Sequence, residues 1–403
     1  MVFLLSLPGV SAEREPFRIA IMLESGGART FFYKLVKQFE SMHPQLEVKL
    51  WVFNDGGYKA EIERLLLSNQ GPDVVHWHAG GSLKHFVDRD LIEPIDVTWQ
   101  QEGWDSAFSP SIKRIVSFES QVYALPYSYY ALGFYYRKSV FAKYNLEPPN
   151  NWQEFQIVCD TLKNNNIAPI AIGTKHEWTT GSWFDYLNLR INGLQFHREL
   201  MEGKASFTDT RVVKIFEIWK EILEKNYFNK NRNDLHWRES IHYVYRGLAG
   251  MTLIGNFATA NLYSTLSEDI GFFKFPVMDE AVGHFEEAPI DVLMVPKKSR
   301  NKERAKDFLK LVASEHVMAS LNDSLGAVSP HLKSPPSKRP LAHHGVKLLE
   351  SAEGFSQYFD RDTNTEFSAL GFRSLVKFMT KPDVEIVVTE LEAARLKFLK
   401  TGP

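Results

Sequence analysis

The first eighty residues alternate between two hydrophobic periods. Phe17 to Leu23 is dense in apolar and β-forming residues and predicts a strand. Phe32, Leu35, Val36 and Phe39 then recur at helical spacing, and that helix must stop before Pro44. Leu46 to Phe53 predicts a second strand, Ile62 to Leu67 a second helix, and Val74-Val75-His76-Trp77 a third strand. Strands that alternate with helices in this way build a parallel, doubly wound α/β sheet, and its ligands gather beyond the carboxyl ends of the strands. Here those ends read Glu24-Ser25, Asn54-Asp55-Gly56-Gly57 and Trp77-His78-Ala79-Gly80-Gly81, all polar or small.

The pattern changes further on. Residues 151–265 are mostly helical, with Val212, Phe216, Trp219 and Leu223 marking one strongly amphipathic helix. Strands return at Ile270 to Phe275 and Ile290 to Val295. A helix follows Asn301, carrying Ala305, Phe308, Leu309 and Val312 on one face. Ser329 to Gly345 holds Pro330, Pro335, Pro336 and Pro340 and reads as an irregular connection. The last helix carries Val384, Val387, Val388, Leu391 and Phe398, with Gly402 beyond its end.

At 403 residues the chain exceeds one simple core, so two packed units are expected. Its 44% hydrophobic and 24% charged residues are those of a globular protein, and a net charge of -2 gives no field to draw nucleic acid or an anionic membrane. No run of 18 apolar residues is present to span a bilayer. Cys159 is the single cysteine, which rules out an intramolecular disulfide. Val2 to Leu7 followed by Val10-Ser11-Ala12 has the look of a signal-peptide remnant over residues 1–12, although no Lys or Arg precedes it.

Residues 121–155 carry the most specific signal. Gln121 to Pro126 reads as a strand stopped by a proline, followed by the aromatic run Tyr127-Ser128-Tyr129-Tyr130 and a second strand from Leu132 to Arg137. Ser139 can cap a short helix, and Asn151 with Glu154 makes a capping box beside Pro148-Pro149 and Trp152. This order resembles the interlobe crossover of extracellular solute-binding proteins of ABC transporters, nearest to the carbohydrate-binding branch called family 1. Gly71-Pro72-Asp73-Val74-Val75, Asp90 to Ile95, Gly247 to Phe257 and Pro296 to Ala305 are similar to further segments of that family in the same order. Glu24-Ser25-Gly26-Gly27 is similar to its glucose and mannose binders.

The resemblance implies a two-lobed α/β periplasmic-binding-protein fold, type II-like, made of discontinuous pieces. Residues 13–125 and 276–326 would form one lobe, and 127–275 with 327–403 the other. It also implies an exported, monomeric receptor in the periplasm or outside the cell. Such a receptor binds a small carbohydrate, passes it to a membrane permease, needs no cofactor and performs no chemistry.

A sugar needs polar partners for its hydroxyls and flat apolar faces for its C–H surfaces, because each buried hydroxyl left unpaired costs ~1–3 kcal/mol. The polar candidates are Glu24, Ser25, Asp55, His78, Asn256 and Asp291, and the resemblance implies Arg361 in the Asp360-Arg361 loop as a further one; the aromatic ones are Trp77, Tyr127, Trp178, Trp183 and Phe257. Trp178 and Trp183, set among small polar residues, are expected to form an exposed platform. Two other classes compete. A carbohydrate hydrolase would need two carboxylates flanking the bond, for which Glu24 and Asp291 are conceivable. A metal-binding receptor would use His76 and His78, which share one face of a strand, with His85.

Overall fold

The computed structural model describes residues 14–260, 262 and 267–399. Val2 to Leu7, Val10-Ser11-Ala12 and Gly402 lie outside them. The first strand, β1, spans Glu15–Met22, and Ser25 caps the helix α1 (Gly26–Met42) by accepting from the Ala28 N–H. Next come β2 (Leu46–Phe53), α2 (Asp55–Leu67), capped by Asn54, and β3 (Val74–His78). The sheet order is β2, β1, β3, Ile290–Met294, Leu125–Tyr129. β1 lies parallel to β2 and β3, as the alternating pattern predicts. The strand Ile290–Met294 runs antiparallel to β3, however, so the sheet is mixed. Sequence proximity hid this, because that strand arrives from more than two hundred residues away.

A second sheet has the order Ile270–Phe273, Leu132–Arg137, Ala249–Gly255, Ala168–Ile170. Each sheet has its own core: residues 17–127 with 290–321 pack around the first, and residues 130–275 with 327–394 around the second. The polypeptide passes between the two units three times, at Tyr130-Ala131, Ala288-Pro289 and Gly326. Backbone bonds tie these crossings together: Tyr129 and Val328 exchange N–H···O bonds of 3.0 and 2.9 Å, and the Tyr130 N–H donates to Pro289 O at 3.1 Å.

Three local expectations shift. Residues 276–287 stay with the second unit, because Phe285–Glu287 pairs with Gly354–Ser356 and Arg190 donates to Phe285 O. Pro340 opens a helix, Pro340–Glu350, at a first-turn position that needs no N–H. Ser139 is bound to Asp269, while Arg137 stands at the N-cap of its helix.

The second unit buries an acidic pair. Asp185 and Glu287 are fully enclosed, and no N–H or O–H of the described residues reaches their carboxyl oxygens. A proton shared between them is their one available hydrogen bond. Burial is the largest influence on Glu287, pushing it up to about 8, and the adjacent Glu286 adds to this. The folded state therefore holds a proton that the unfolded chain releases near 4.5. Stability is full below that value and falls as pH rises towards 8. Glu287→Gln, which cannot ionise, is expected to flatten the fall in Tm between pH 6 and 9. Parallel Tm–pH curves for variant and wild type would show that Glu287 is not the titrating group.

Candidate functional site

The two units face each other across a cleft. From the first come the carboxyl ends of its parallel strands, with Glu24 after β1, Asp55 after β2 and His78 at the end of β3, and the amino end of the antiparallel strand, with Asp291. Asp291 lies directly opposite His78 in the ladder, so register alone brings carboxylate and imidazole together. From the second come Trp178, Trp237, Arg238, Phe257, Tyr358, Asp360 and Arg361, while Tyr127 comes from the first sheet's strand Leu125–Tyr129, and Tyr130 and Pro289 come from the crossings.

The lining has two chemistries. Trp178 packs edge-on to Trp237 and Tyr358 at ring-centroid separations of 6.0 and 5.8 Å, and Phe257 meets Trp237 at 5.2 Å and Tyr130 at 5.4 Å. This wall is a continuous aromatic surface. The polar groups come from both units, and their charges are held in place. Asp291 accepts from Tyr130 Oη at 2.7 Å and from Arg361 at 2.9 Å. Glu24 accepts from the Asp55 N–H at 3.0 Å and from Arg238 at 2.5 Å. Lys59 lies 3.2 Å from Asp55 and 2.9 Å from Asp360.

Three of these ion pairs therefore cross the cleft: Glu24–Arg238, Lys59–Asp360 and Asp291–Arg361. Burial works to lower the Lys59 pKa and to raise that of Asp360, but each group's partners outweigh burial, so both are held in their charged forms. The units also touch backbone to backbone. The Ser82 N–H donates to Arg361 O at 3.2 Å, and a Cβ on Gly81 would come within 2.9 Å of Asp362 O.

His76 and His78 share the face of β3 opposite to Trp77, as strand alternation requires. Among the described residues neither buried Nε2 finds a partner, while His76 Nδ1 meets Tyr127 Oη at 2.8 Å. Burial, chiefly, lowers His76 to about 4 and His78 well below its ordinary value, so both rings are neutral at pH 7. A neutral imidazole can donate and accept, which suits a hydroxyl.

Ligand-atom positions of His76, His78 and Asp291 lie within 4.8 Å of one another. His85 does not join them: it sits on the helix Gly81–Val87 and meets Arg89. The Asp291 carboxylate already pairs with a guanidinium, which occupies the place of cationic charge beside it. The conceivable hydrolytic pair is equally committed, since Glu24 and Asp291 are each tied to an arginine.

Of the residues singled out from sequence, Glu24, Ser25, Asp55, His78, Tyr127, Trp178, Phe257, Asp291 and Arg361 line the cleft. Three do not. Trp183 is 1% exposed and packs on Phe134, Phe228 and Phe275. Trp178 immediately precedes the helical segment Thr179–Met201, and five residues later the helix has turned by ~140°, so Trp183 faces the core. Trp77 points into the first core against Tyr58 and Phe86. Asn256 is buried behind Phe257 and accepts from the Ala131 N–H at 3.4 Å. Sequence reasoning missed Lys59, Trp237, Arg238 and Tyr358. Trp237 and Arg238 open the amphipathic helix Trp237–Tyr245, whose sequence carries no sign that its first turn meets another unit.

Two lobes joined by crossing segments, with a lined cleft between them, define a binding protein that closes around a small ligand. A bacterial extracellular solute-binding protein family model matches residues 25–319, well over half of the chain, and the protein belongs to that family of receptors. It is similar to an ABC transporter extracellular-binding protein of Pyrococcus horikoshii, 25% identical over 337 residues, which spans 82% of this chain and 75% of the relative. It is also similar to the melibiose/raffinose/stachyose-binding protein MelE of Bacillus subtilis, 21% identical over 335 residues, covering 77% of this chain and 75% of MelE. Among solved structures, the bacterial solute receptor AcbH superposes with a TM-score of 0.88 at 25% identity, covering 95% of this chain and 98% of AcbH.

Two outcomes follow from this geometry. Trp183→Ala is expected to cost ~3–5 kcal/mol of stability in urea unfolding, as loss of a core aromatic does. A stable variant with weakened ligand binding would return Trp183 to the site. For His76, the folded pKa is depressed from 6.5 to about 4, so the unfolded chain takes up protons first on acidification. Its contribution is full above pH 6.5 and is lost towards pH 4, at ~3 kcal/mol over that interval. Wild type should therefore lose more stability than His76→Asn between pH 7 and pH 4; equal losses would exclude a buried neutral His76.

Proposed function

We propose that the protein is an extracytoplasmic sugar receptor that closes on its ligand and delivers it to an ABC importer. One observation carries the reading: an aromatic wall on the second lobe meets a set of fixed hydrogen-bonding groups that both lobes supply. A pyranose has apolar C–H faces that lie on rings and equatorial hydroxyls that reach carboxylates, imidazole and guanidinium, so the wall and the polar set match its two kinds of surface. The names of the relatives support a sugar. AcbH is described as having an exclusive substrate preference for β-D-galactopyranose, and MelE as binding melibiose, raffinose and stachyose.

In this reading Asp291, Arg361, His78 and Glu24 hold hydroxyls, while Trp178 and Phe257 receive the ring face. Ligand bound to both lobes favours the closed state, and that closed surface is what the permease reads. The receptor acts as a monomer, and transport energy comes from a separate ATPase subunit.

A thermal-shift screen of the purified chain against D-galactose, D-glucose, D-mannose and the galactosyl oligosaccharides tests the reading, with zinc and chelator alone as further arms. A ligand at 100 times its Kd adds ~2.7 kcal/mol and raises Tm clearly. Asp291→Asn should weaken the bound sugar by about a hundredfold, because Arg361 is then left without its counter-charge. A Tm raised by zinc and by no sugar would overturn the reading in favour of the histidines. Release of monosaccharide from an oligosaccharide would overturn it in favour of a hydrolase.

A further inference from the structure

Two of the segments that build the aromatic wall carry histidines that meet just outside the cleft lining. His176 lies two residues before Trp178, and His236 lies one residue before Trp237. Their rings stand edge to face with centroids 4.6 Å apart, while Trp178 and Trp237 pack together beside them. The segments are also joined through their backbones. The Thr174 N–H donates to Arg232 O at 2.8 Å and the Lys175 N–H to Leu235 O at 3.1 Å. A Cβ on Gly173 would come within 2.5 Å of His236 O.

His236 is the N-cap of the helix Trp237–Tyr245. Its Nδ1 accepts from the Arg238 N–H at 3.1 Å, and Glu239 completes a capping box by accepting from the His236 N–H at 2.6 Å. Ser, Thr, Asp and Asn are the usual caps, and their oxygens accept throughout the neutral range. An imidazole nitrogen accepts only while it carries no proton. As imidazolium both nitrogens donate, and an Nδ1–H would face the Arg238 N–H. The cap therefore holds with a neutral ring and is lost with a charged one.

The turn it secures is the one that reaches the site. Trp237 meets Phe257 at 5.2 Å, and Arg238 donates to Glu24 Oε2 at 2.5 Å and to the Glu24 carbonyl at 2.9 Å. The Arg238 guanidinium also lies 4.9 Å from the Trp237 ring centroid, so the two side chains move as a unit. Around the His236 ring, burial first, then His176 and Arg238, lower its pKa from 6.5, and they outweigh Glu24 and Glu239, which raise it. Both carboxylates are already engaged, Glu24 by Arg238 and Glu239 by the His236 N–H. Lys175 and Glu177 flank His176 on its loop. The His236 ring is thus neutral at pH 7 and takes its proton below pH 6.5.

We propose that His236 is a positioning residue for ligand binding: as a neutral cap it holds Trp237 and Arg238 at the cleft, and its protonation loosens both, so that acid weakens the grip on the ligand. The proposal rests on the sugar reading above and adds a dependence on pH to it. Two effects act together on acidification. The Arg238 N–H loses its acceptor, and a positive ring arises beside the His176 ring and the Arg238 guanidinium. Arg238 carries one of the ion pairs across the cleft, so the same change favours the open form. By linkage, closure on the ligand favours the neutral ring, and binding releases protons where His236 is partly charged.

Calorimetric titration of the full chain at pH 7.5 and pH 5 tests this, using D-galactose, D-glucose, D-mannose, melibiose and raffinose. Wild type is compared with His236→Asn, which caps at both pH values, and with His236→Ala, which caps at neither. On acidification wild type should lose affinity by about fivefold more than His236→Asn, the effect of losing one cap. The comparison cancels the titration of His76, His78 and the cleft carboxylates, which both proteins share. At pH 7.5 His236→Asn should match wild type, and His236→Ala should bind about fivefold more weakly. Equal losses in wild type and His236→Asn would overturn the proposal while leaving the sugar reading intact. An alanine variant that binds as wild type does at pH 7.5 would do the same. Imidazole-nitrogen NMR of the ligand-free chain needs no sugar: Nδ1 of His236 should carry no proton at pH 7.5, and a protonated Nδ1 would remove the cap outright. Silence for all five sugars would sink the sugar reading, and this dependence with it.

Discussion

The contact on which the rest of the site depends is the ion pair between Asp291 and Arg361. A buried carboxylate costs several kcal/mol unless it is paired and hydrogen-bonded, and here a guanidinium and the Tyr130 hydroxyl meet that requirement together. The three groups come from different parts of the fold. Asp291 belongs to the inserted antiparallel strand, Tyr130 to a crossing between the lobes, and Arg361 to the second lobe. The same register that sets Asp291 opposite His78 supplies the first lobe's floor. Joining these groups thus means joining the lobes, so the geometry of binding and the geometry of closure are one arrangement.

Closure also needs backbones that can come near each other. Gly80 has φ +84 and lies where a Cβ would meet Arg361 O at 2.7 Å, and Gly81 meets Asp362 O in the same way. The Ser82 N–H then reaches Arg361 O, so the loop that carries Arg361 is held at both its side chain and its carbonyl. The three crossings behind the cleft are bonded to one another through Tyr129, Val328, Tyr130 and Pro289. A hinge of this kind keeps the lobes in register while their faces part, because rotation about adjacent strands disturbs few contacts in either core.

Much of this was legible in the chain, and the division follows physical lines. The strand ends at Glu24, Asp55 and His78 were readable because hydrophobic period two stops there and polar residues with glycine begin. Whether Trp178 or Trp183 faced the ligand was not readable, because that depends on where a helix starts and on its phase. Trp77 could be placed only once its strand neighbours had been assigned faces. The mixed sheet was hidden for a different reason: a strand inserted from distant sequence carries the same apolar pattern in either direction. Lys59 and Arg238 were invisible altogether, since each is an ordinary helical cation until the lobes meet and supply its carboxylate.

The pairing of those charges bears on what the cleft can hold. Glu24, Asp55, Asp291 and Asp360 face Lys59, Arg238 and Arg361, and each carboxylate has a cation within 3.2 Å. An anionic ligand would have to draw an arginine or lysine away from its carboxylate. A cationic one would have to draw a carboxylate away, and either change leaves a charge unpaired in a partly enclosed space. A neutral polyhydroxylated ligand asks for neither. Its hydroxyls can donate to the remaining lone pairs of the carboxylates and accept from free N–H groups of the guanidinium fork, leaving the ion pairs in place. A cleft rich in charge yet nearly balanced is therefore one that orients hydrogen bonds rather than attracting charge, and the aromatic wall completes the selection by favouring a ligand with a flat apolar face.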